Sequence, residues 1–253
     1  MTPFLRTERQ SAVSERATNL QLLRLFFSEK HDPDPFYSKL AERSIDSFPF
    51  PLLGQRVLDL GAGGGHYSKA MGNAGAEIVA ADLDELDLRR ARSRGVPAAV
   101  CDGTKLPFPD QGFDGIFCSN MLEHTPTPGR IFDEIERVLR PGGWAWVSWT
   151  NWYSPWGGHE IVPLHLLGPN LGLKTWRKLF GEPRKNVPFD ALWPTYIGRT
   201  LADVRTRPQL QLLDAVPRYY PSQRWILKVP GLREVATWNC LLTFERQPDE
   251  ERH

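Results

Sequence analysis

The sequence has few cysteines, and their placement excludes two common kinds of site. Only three occur, at Cys101, Cys118 and Cys240, and they lie far apart. No CxxC pair or other metal-ligand spacing is present, which excludes a cysteine-bound zinc site and a disulfide framework. Because unpaired thiols are typical of reducing compartments, we expect a cytoplasmic protein.

The chain also lacks an excess of charge of either sign. Lysine and arginine total 31, and aspartate and glutamate total 30. Such a protein has no overall field to attract a polyanion, so nucleic acid is not expected as a partner. No internal repeat or low-complexity tract is visible, and we predict a single elaborated domain over residues 1–253.

Long apolar runs are absent as well. No stretch reaches the roughly 18 to 20 apolar residues that cross a bilayer, and the N-terminal segment alternates charged with apolar residues, unlike a signal peptide. The stretch RWILKVPGL at 224–232 could touch a membrane surface, but burial in an ordinary core explains it more simply. The oligomeric state is left open.

What the sequence does contain is an alternation of short apolar runs with helical segments. Strands are predicted at 56–60, 77–81, 97–101, 113–119 and 144–149. Short connections and right-handed crossovers make such a sheet mostly parallel, with helices on both faces. We therefore predict an α/β fold with a Rossmann-like, doubly wound sheet, whose ligand crevice lies beyond the carboxyl ends of the strands.

Helices flank this core on its N-terminal side. Two are predicted in the region 1–50, at 17–27 and 34–45, ahead of the strand-rich core at 55–150. Within the core, Pro141-Gly142-Gly143 is expected to end a helix before the fifth strand starts at Trp144.

The C-terminal part of the chain is predicted to contain an insertion and then rejoin the sheet. Residues 151–195 are rich in proline, glycine and aromatic side chains without a sustained period, which indicates an inserted cap after the fifth strand. The region 196–253 should then add a helix at 196–204 and strands at 210–216 and 240–245. The complete sheet would have seven strands.

The segment VLDLGAGGG at 57–65 forms a glycine-rich loop after the first predicted strand. Such a loop lets the backbone approach a ligand closely, and we expect it to direct free N–H groups toward the ligand. The dinucleotide fingerprint requires glycine where His66 stands, so the pattern here is GxGxG. NAD is disfavoured by this difference but not excluded.

Acidic residues close the next two strands. Asp82 ends the second strand, where a carboxylate can accept hydrogen bonds from both hydroxyls of a ribose. Asp102 ends the third, where an acceptor suits an exocyclic amine, and Gly103 leaves room for a flat adenine. Three successive strand ends thus offer complementary groups for one nucleoside.

The motifs VLDLGAGGG, AADLD, CDGTKLPFPDQGFDGIFCSNMLEH and LRPGG together resemble class I S-adenosylmethionine-dependent methyltransferases of the type 11 group. The resemblance covers about residues 55–150, and segments outside it are similar to a narrower bacterial subgroup. It implies S-adenosylmethionine as cofactor and S-adenosylhomocysteine as product. It also implies that the glycine loop holds the methionine moiety, that the acid after strand two binds the ribose, and that the acid after strand three meets the adenine.

Carried onto this sequence, the resemblance assigns a set of cofactor residues. The acid that leads the glycine loop, Asp59, is expected near the amino group of the cofactor. The full predicted set is Asp59, Gly61, Gly63, Gly65, Asp82, Leu83, Asp102, Gly103 and Asn120.

Two histidines are candidate catalytic residues. His124 follows strand four at the crevice mouth, and an unperturbed histidine can accept a proton near neutral pH; a packing role for it is equally open. His159 lies in the cap. The candidate substrate contacts are Tyr153, Trp156, Glu160 and His165. The spacing of His159, Glu160 and His165 matches no compact helical zinc motif, so no metal is predicted, with a divalent ion as the minor alternative.

An aromatic cap can roof a pocket and exclude water, which favours a small-molecule or glycan-like acceptor. The leading hypothesis is O-methylation of a hydroxyl on such an acceptor. C-methylation of a lipid or quinone-like ring, an NAD-binding oxidoreductase and a non-catalytic nucleoside-binding protein remain as alternatives.

Overall fold

The computed structural model describes residues 34–248, and the predicted helix at 17–27 lies outside them. Helix α1 (Asp34–Asp46) is the first described element and confirms the helix predicted at 34–45. Its buried residues, Ala41 and Ile45, belong to the apolar core beneath it.

One sheet of seven strands forms the centre of the molecule. Its strands are β1 (Arg56–Leu60), β2 (Glu77–Asp82), β3 (Ala98–Val100), β4 (Phe113–Ser119), β5 (Leu139–Thr150), β6 (Leu210–Pro217) and β7 (Asn239–Arg246). Their spatial order is β3-β2-β1-β4-β5-β7-β6. The first five pair in parallel, and β7 pairs antiparallel with β5 and β6. The predicted seven-stranded, mostly parallel α/β sheet is therefore confirmed.

Six further helices follow α1 in the described part of the chain. They are α2 (His66–Asn73), α3 (Glu85–Ser93), α4 (Pro128–Val138), α5 (Pro169–Phe180), α6 (Ile197–Val204) and α7 (Leu232–Ala236). Short 3-10 helices occur at Leu122–His124, His159–Ile161, Leu164–Leu167 and Pro221–Lys228. Within residues 34–248, none of the helices has the length and apolar character needed to cross a membrane.

The sheet is covered by an apolar layer on each face. In β4, Ile116 belongs to the layer that includes α4 and α6, and the next residue, Phe117, belongs to the layer that includes α2 and α3. This alternation follows from the opposite directions of successive strand side chains. The rings of Phe117 and Trp146 stack with centroids 4.6 Å apart. Burial on both faces explains why the central strands read as continuous apolar runs.

Strand β5 begins earlier than the sequence predicted. The expected start was Trp144, but the strand begins at Leu139, directly after α4 ends. Its register against β4 shifts over residues 140–143, where Gly142 has a φ of 73°. The proline and glycines therefore form an irregularity within the strand, as a β-bulge does, and the strand starts before them.

The segment 151–195 leaves the sheet after β5 and returns before α6, but it is more regular than predicted. It contains the twelve-residue helix α5, in which Gly172 and Leu173 are buried. A side chain at Gly172 would collide with the carbonyl oxygen of Leu164. The segment has its own apolar core, formed by Trp152, Ile161, Leu173 and Leu192. The division of residues 1–253 into regions of one domain stays a prediction.

Candidate active site

A crevice opens at the carboxyl ends of β1 and β4, where the strand order reverses direction. This switch point is the usual ligand site of open α/β sheets. The cavity here has a volume of about 290 Å³. Asp59 and Gly61 line it from β1, and Ser119 and Asn120 line it from β4. The structure therefore brings residues from two of the sequence motifs to one place.

The glycine loop has a backbone conformation that requires glycine. Gly61 and Gly65 have φ values of 75° and 76°, in the left-handed region. A Cβ at Gly61 would lie 2.9 Å from Cβ of Met121, and one at Gly65 would lie 2.6 Å from Cβ of Ala91. These glycines allow the loop to turn tightly between its neighbours.

The expectation that the loop directs free N–H groups toward a ligand is wrong for most of its residues. The N–H groups of Gly61 and Ala62 both donate to the carbonyl oxygen of Ala81. Gly63 N–H donates to Oδ2 of Asp82 at 2.8 Å, and Gly65 N–H donates within the loop. The tight turn itself uses these donors, so the loop offers a ligand mainly its shape.

Asp82 holds the loop and the start of helix α3 together. Its Oδ2 accepts from Gly63, and its Oδ1 accepts from the N–H of Asp84 at 2.9 Å. Each carboxylate oxygen has room for a second hydrogen bond, so both can still accept from a ligand. Leu83, the next residue, is 73% exposed. The pair thus offers two acceptors beside an uncovered apolar surface.

Asp59 is a buried carboxyl group at the base of the crevice. Ser68 Oγ donates to its Oδ2 at 2.5 Å. Burial raises the pKa of Asp59 from 3.8 to about 7; the Ser68 hydrogen bond opposes this rise and the charge of Asp82 adds to it. A positively charged group in the crevice would favour the ionised form of Asp59.

Asp102 and Gly103 follow β3 and do not line this cavity, but Met121 approaches both Gly103 and Gly61. Oδ1 of Asp102 accepts from the N–H and the hydroxyl of Thr104, both at 2.8 Å, and Oδ2 has no partner among residues 34–248. The space beside Gly103 is taken by the methyl group of Met121. The flexible side chain of Met121 therefore fills the space that was expected for an adenine, and it would have to change rotamer for an adenine ring to bind there.

Arg218 is a residue of this site that the sequence analysis missed. It follows β6, and its guanidinium donates to hydroxyl oxygens of Ser119 at 3.0 Å, Ser148 at 3.1 Å and Tyr67 at 2.9 Å. The guanidinium also lies 4.6 Å from the ring centre of Trp146. It makes no ion pair with the described residues, so a partly buried cation stands beside the crevice.

Helix α1 forms the outer wall of the crevice. Arg94 donates to Oδ2 of Asp34 at 2.6 Å and to the carbonyl oxygen of Gly64 at 2.7 Å. His66 Nδ1 lies 3.1 Å from Oγ of Ser38. Burial lowers the pKa of His66, and the charge of Arg94 adds to the effect. His66, which departs from the dinucleotide pattern, therefore anchors the N-terminal helix to the glycine loop.

Asn120 lies at the end of β4 in a left-handed conformation, with a φ of 55°. Its N–H donates to the carbonyl oxygen of Ser148 at 2.8 Å, and its Oδ1 accepts from Asn239 at 2.7 Å. Both bonds fix its direction at the edge of the crevice. The roles of Asn120 and of the other predicted cofactor residues stay predictions.

The two candidate catalytic histidines meet beyond Asn120, together with a glutamate. The rings of His124 and His159 have centroids 5.5 Å apart, and Glu123 joins them so that one potential ligand atom of each residue lies within 4.8 Å of the others. Burial raises the pKa of Glu123. Burial and the charge of His124 lower the pKa of His159 to about 4. We call these three residues the crevice-mouth cluster.

The predicted substrate contacts lie at different places in the cap. Trp156 is exposed, and Tyr153 packs against Tyr196 with ring centroids 5.7 Å apart. Oε2 of Glu160 accepts from two backbone N–H groups, those of Arg184 and Lys185. His165 is buried and its Nε2 lies 2.9 Å from the carbonyl oxygen of Ser154. Glu160 and His165 therefore stabilise the cap in this structure, and their contact with an acceptor stays a prediction.

Two larger cavities lie outside the crevice. One of about 550 Å³ is bounded by Thr125, the residue after His124, by Trp193 of the cap and by Tyr196 just beyond the cap. Another of about 540 Å³ lies at the amino ends of the strands, beside Arg56 and Glu77. Ligands of open α/β sheets bind at the carboxyl ends, so only the first is placed to take part in chemistry.

The known proteins and the family model that this chain resembles are all described as methyltransferases. A family model described as a methyltransferase domain, of type 11, matches residues 58–147. An uncharacterized methyltransferase of Mycobacteroides abscessus is 34% identical over 251 residues, covering 93% of this chain and 95% of that protein. One of Mycolicibacterium vanbaalenii is 33% identical over 258 residues, covering 94% and 98%.

A solved structure extends the likeness to the fold. The S-adenosylmethionine-dependent methyltransferase of Mesorhizobium loti superimposes with a TM-score of 0.56 at 21% identity, covering 83% of this chain and 98% of that one. The two relatives cover 93% and 94% of this chain, well beyond the residues that the family model matches. The chain therefore belongs to the class I S-adenosylmethionine-dependent methyltransferases.

Proposed function

We propose that the protein transfers the methyl group of S-adenosylmethionine to a hydroxyl oxygen of a small molecule, a sugar or a glycan-like acceptor. The observation that carries this proposal is the crevice-mouth cluster, in which Glu123, His124 and His159 converge directly after the strand that lines the crevice. A hydroxyl must lose its proton as it is methylated, and groups of this kind assist that loss.

The polar and apolar groups in and around the crevice match those of S-adenosylmethionine. Both oxygens of Asp82 can accept from ribose hydroxyls, and the exposed side chain of Leu83 offers an apolar surface to the adenine. Oδ2 of Asp102, which has no partner among the described residues, suits the exocyclic amine, and Asp59 suits the charged amino group. When bound, S-adenosylmethionine supplies a methyl group activated by its sulfonium charge.

The two histidines differ in how well they can take a proton. Nδ1 of His124 lies 2.7 Å from the carbonyl oxygen of Ala191, to which it donates, so the lone pair is on Nε2. The pKa of His159 is lowered to about 4, which disfavours proton acceptance by this ring near neutral pH. His124 is therefore the better candidate for direct proton acceptance, in agreement with the preference from sequence.

The cavity beside the cluster has walls that suit a ring-shaped acceptor. Trp193 and Tyr196 contribute aromatic surface, and Thr125 and Thr200 contribute hydroxyl groups. Aromatic faces pack against sugar rings and flat natural products, and hydroxyls fix their orientation. Trp193 N–H also donates to the carbonyl oxygen of Glu123 at 2.7 Å, which ties this wall to the cluster.

The test uses S-adenosylmethionine with a ¹³C-labelled methyl group. The purified protein is incubated with glycan and lipid fractions from cells, and products are separated by mass spectrometry and examined by NMR. We expect a label bonded to oxygen in a small or glycan-like product. Asp82→Ala, which removes the proposed ribose ligand, should give no product, and Asp46→Ala at the exposed end of α1 should match the wild type.

Two results would contradict the proposal. A label bonded to a ring carbon of a lipid or quinone-like product would establish carbon methylation. Tight binding of S-adenosylhomocysteine without transfer to any fraction would establish a binding protein instead of an enzyme acting on these acceptors.

A further inference from the structure

The crevice-mouth cluster has two buried polar atoms that find no hydrogen-bond partner within residues 34–248. Glu123 is 2% exposed; its Oε1 accepts from Thr150 N–H at 2.9 Å, but its Oε2 has no partner among the described residues. Nε2 of His159 is also buried, and it too has no partner in the described part of the chain. Buried polar atoms are nearly always satisfied, and a bound ion is one of the few ways to satisfy two that face the same place.

The other ring nitrogens are held as they are in metal-binding histidines. His124 Nδ1–H donates to the carbonyl oxygen of Ala191, which leaves Nε2 free as a ligand. His159 Nδ1 lies 3.2 Å from the side-chain amide of Asn186. With that amide turned so that its oxygen faces the ring, Nδ1–H donates to it and Nε2 becomes the second free nitrogen.

The backbone supports this arrangement at some energetic cost. His159 has a φ of 47°, which is unfavourable for a residue with a side chain. Such conformations persist where the surrounding structure imposes them, often at functional sites. Here the left-handed turn places the ring of His159 against His124 at the crevice mouth.

The three residues are nearly close enough to share one ion. One potential ligand atom of each residue lies within 4.8 Å of those of the other two. Ligands of a first-row ion lie about 2.0 to 2.2 Å from the metal and therefore roughly 3 to 3.5 Å from one another. Because His124 is exposed, rotation of its side chain can provide the remaining approach.

We propose that Glu123, His124 and His159 bind one divalent first-row transition ion, and that this ion binds the acceptor hydroxyl. Two imidazoles and one carboxylate are a ligand set that such ions adopt with open positions, whereas magnesium and calcium prefer oxygen ligands only. The identity of the acceptor group rests on the proposed function. The ion replaces His124 as the group that activates the hydroxyl.

The proposed step conserves atoms and charge. A hydroxyl bound to a divalent ion has a lowered pKa, so its proton passes to water. The oxygen lone pair then forms a bond to the methyl carbon while the carbon–sulfur bond breaks and its electron pair stays on sulfur. The products are the methyl ether, S-adenosylhomocysteine and one proton, and nothing is oxidised or reduced.

The test measures binding of the metal alone. Chelator-treated protein is titrated with Zn²⁺ by calorimetry and with Co²⁺ by visible absorption. We expect one ion per chain, bound more than about 100-fold more weakly by Glu123→Gln and by His159→Asn, and about 10-fold more weakly by Asn186→Ala. Glu182→Gln, at an exposed acid of the cap, should bind like the wild type.

Every variant is first tested for binding of S-adenosylhomocysteine, which shows that it is folded. If either Glu123→Gln or His159→Asn does not bind S-adenosylhomocysteine, metal binding by the other variant tests the proposal. Absence of metal binding by the folded wild type, or unchanged binding in the ligand variants, would overturn the proposal. Full O-methylation by metal-free protein would overturn the role of the ion and leave the proposed function standing. Specific metal binding with a carbon-linked methyl product would overturn the proposed function and leave the ion site standing.

Discussion

Replacing Asp59 by asparagine should make the ligand-free protein more stable at neutral and alkaline pH. The carboxyl group is buried at the base of the crevice, and its one side-chain hydrogen bond comes from Ser68. Burial, with a contribution from Asp82, raises its pKa from 3.8 to about 7. Asparagine has nearly the same shape, can still accept from Ser68, and never carries a charge.

The magnitude follows from the pKa shift. Because the folded protein favours the protonated carboxyl, it binds more protons than the unfolded chain between pH 3.8 and about 7. Stability is therefore lost as pH rises through this window. About three pKa units at about 1.4 kcal/mol each give up to about 4 kcal/mol. The variant avoids this loss, so its advantage should be near zero at about pH 4 and largest above about pH 7.

Urea unfolding of both proteins across this pH range would measure the effect without cofactor. The difference between the two curves isolates Asp59, since every other titrating group is common to both proteins. Two parallel curves would refute the reasoning. The same substitution should weaken binding of S-adenosylhomocysteine, because the amino group of the ligand would lose its counter-charge, and calorimetry would show this.

Three further substitutions test the crevice. Gly65→Ala should lower the free energy of unfolding by about 2 to 4 kcal/mol, since it places an alanine in a left-handed conformation and makes its Cβ clash with Ala91. Gly63→Ala, where a Cβ would meet open space, should lower it less. Equal losses in the two variants would be inconsistent with this packing. Asp82→Asn should weaken S-adenosylhomocysteine binding about 10- to 100-fold by calorimetry, and an unchanged affinity would exclude Asp82 as a ligand. Leu83→Ala should weaken it about 5-fold, while Leu86→Ala, at a side chain exposed to 65%, should not.

The sheet could be predicted because its buried strands are visible in the sequence as short runs of apolar residues. Strands β1 and β4 begin and end where the apolar runs predicted them, since both faces of each strand are covered. The start of β5 could not be predicted, because proline and two glycines usually mark a turn and here form an irregularity within the strand. Helix α5 was missed because Pro169 and Gly172 interrupt a pattern in which Leu173, Trp176 and Phe180 recur at helical spacing.

The candidate site was only partly visible in the sequence. Asp59, Asp82 and the glycine loop lie at the ends of predicted strands, so their proximity follows from the fold. Arg218 gave no such signal, because its position beside Tyr67 depends on β6 and β7 joining the far edge of the sheet. His124 and His159 could each be predicted as a candidate catalytic residue, but Glu123 was overlooked although it directly precedes His124. The convergence of these three residues could not be predicted, because it depends on the path of the cap.

The cap begins and ends at almost the same point of the core. Trp152 N–H donates to the carbonyl oxygen of Thr195 at 3.1 Å, and Glu123 accepts N–H groups from both Thr150 and Trp193. An insertion whose two ends are joined in this way can change in length and sequence without moving any strand of the sheet. If the cap binds the acceptor as proposed, acceptor preference can evolve by exchange of the segment between these ends while the glycine loop and its acids stay the same. Chimeras joined at these ends would test whether specificity moves with the cap.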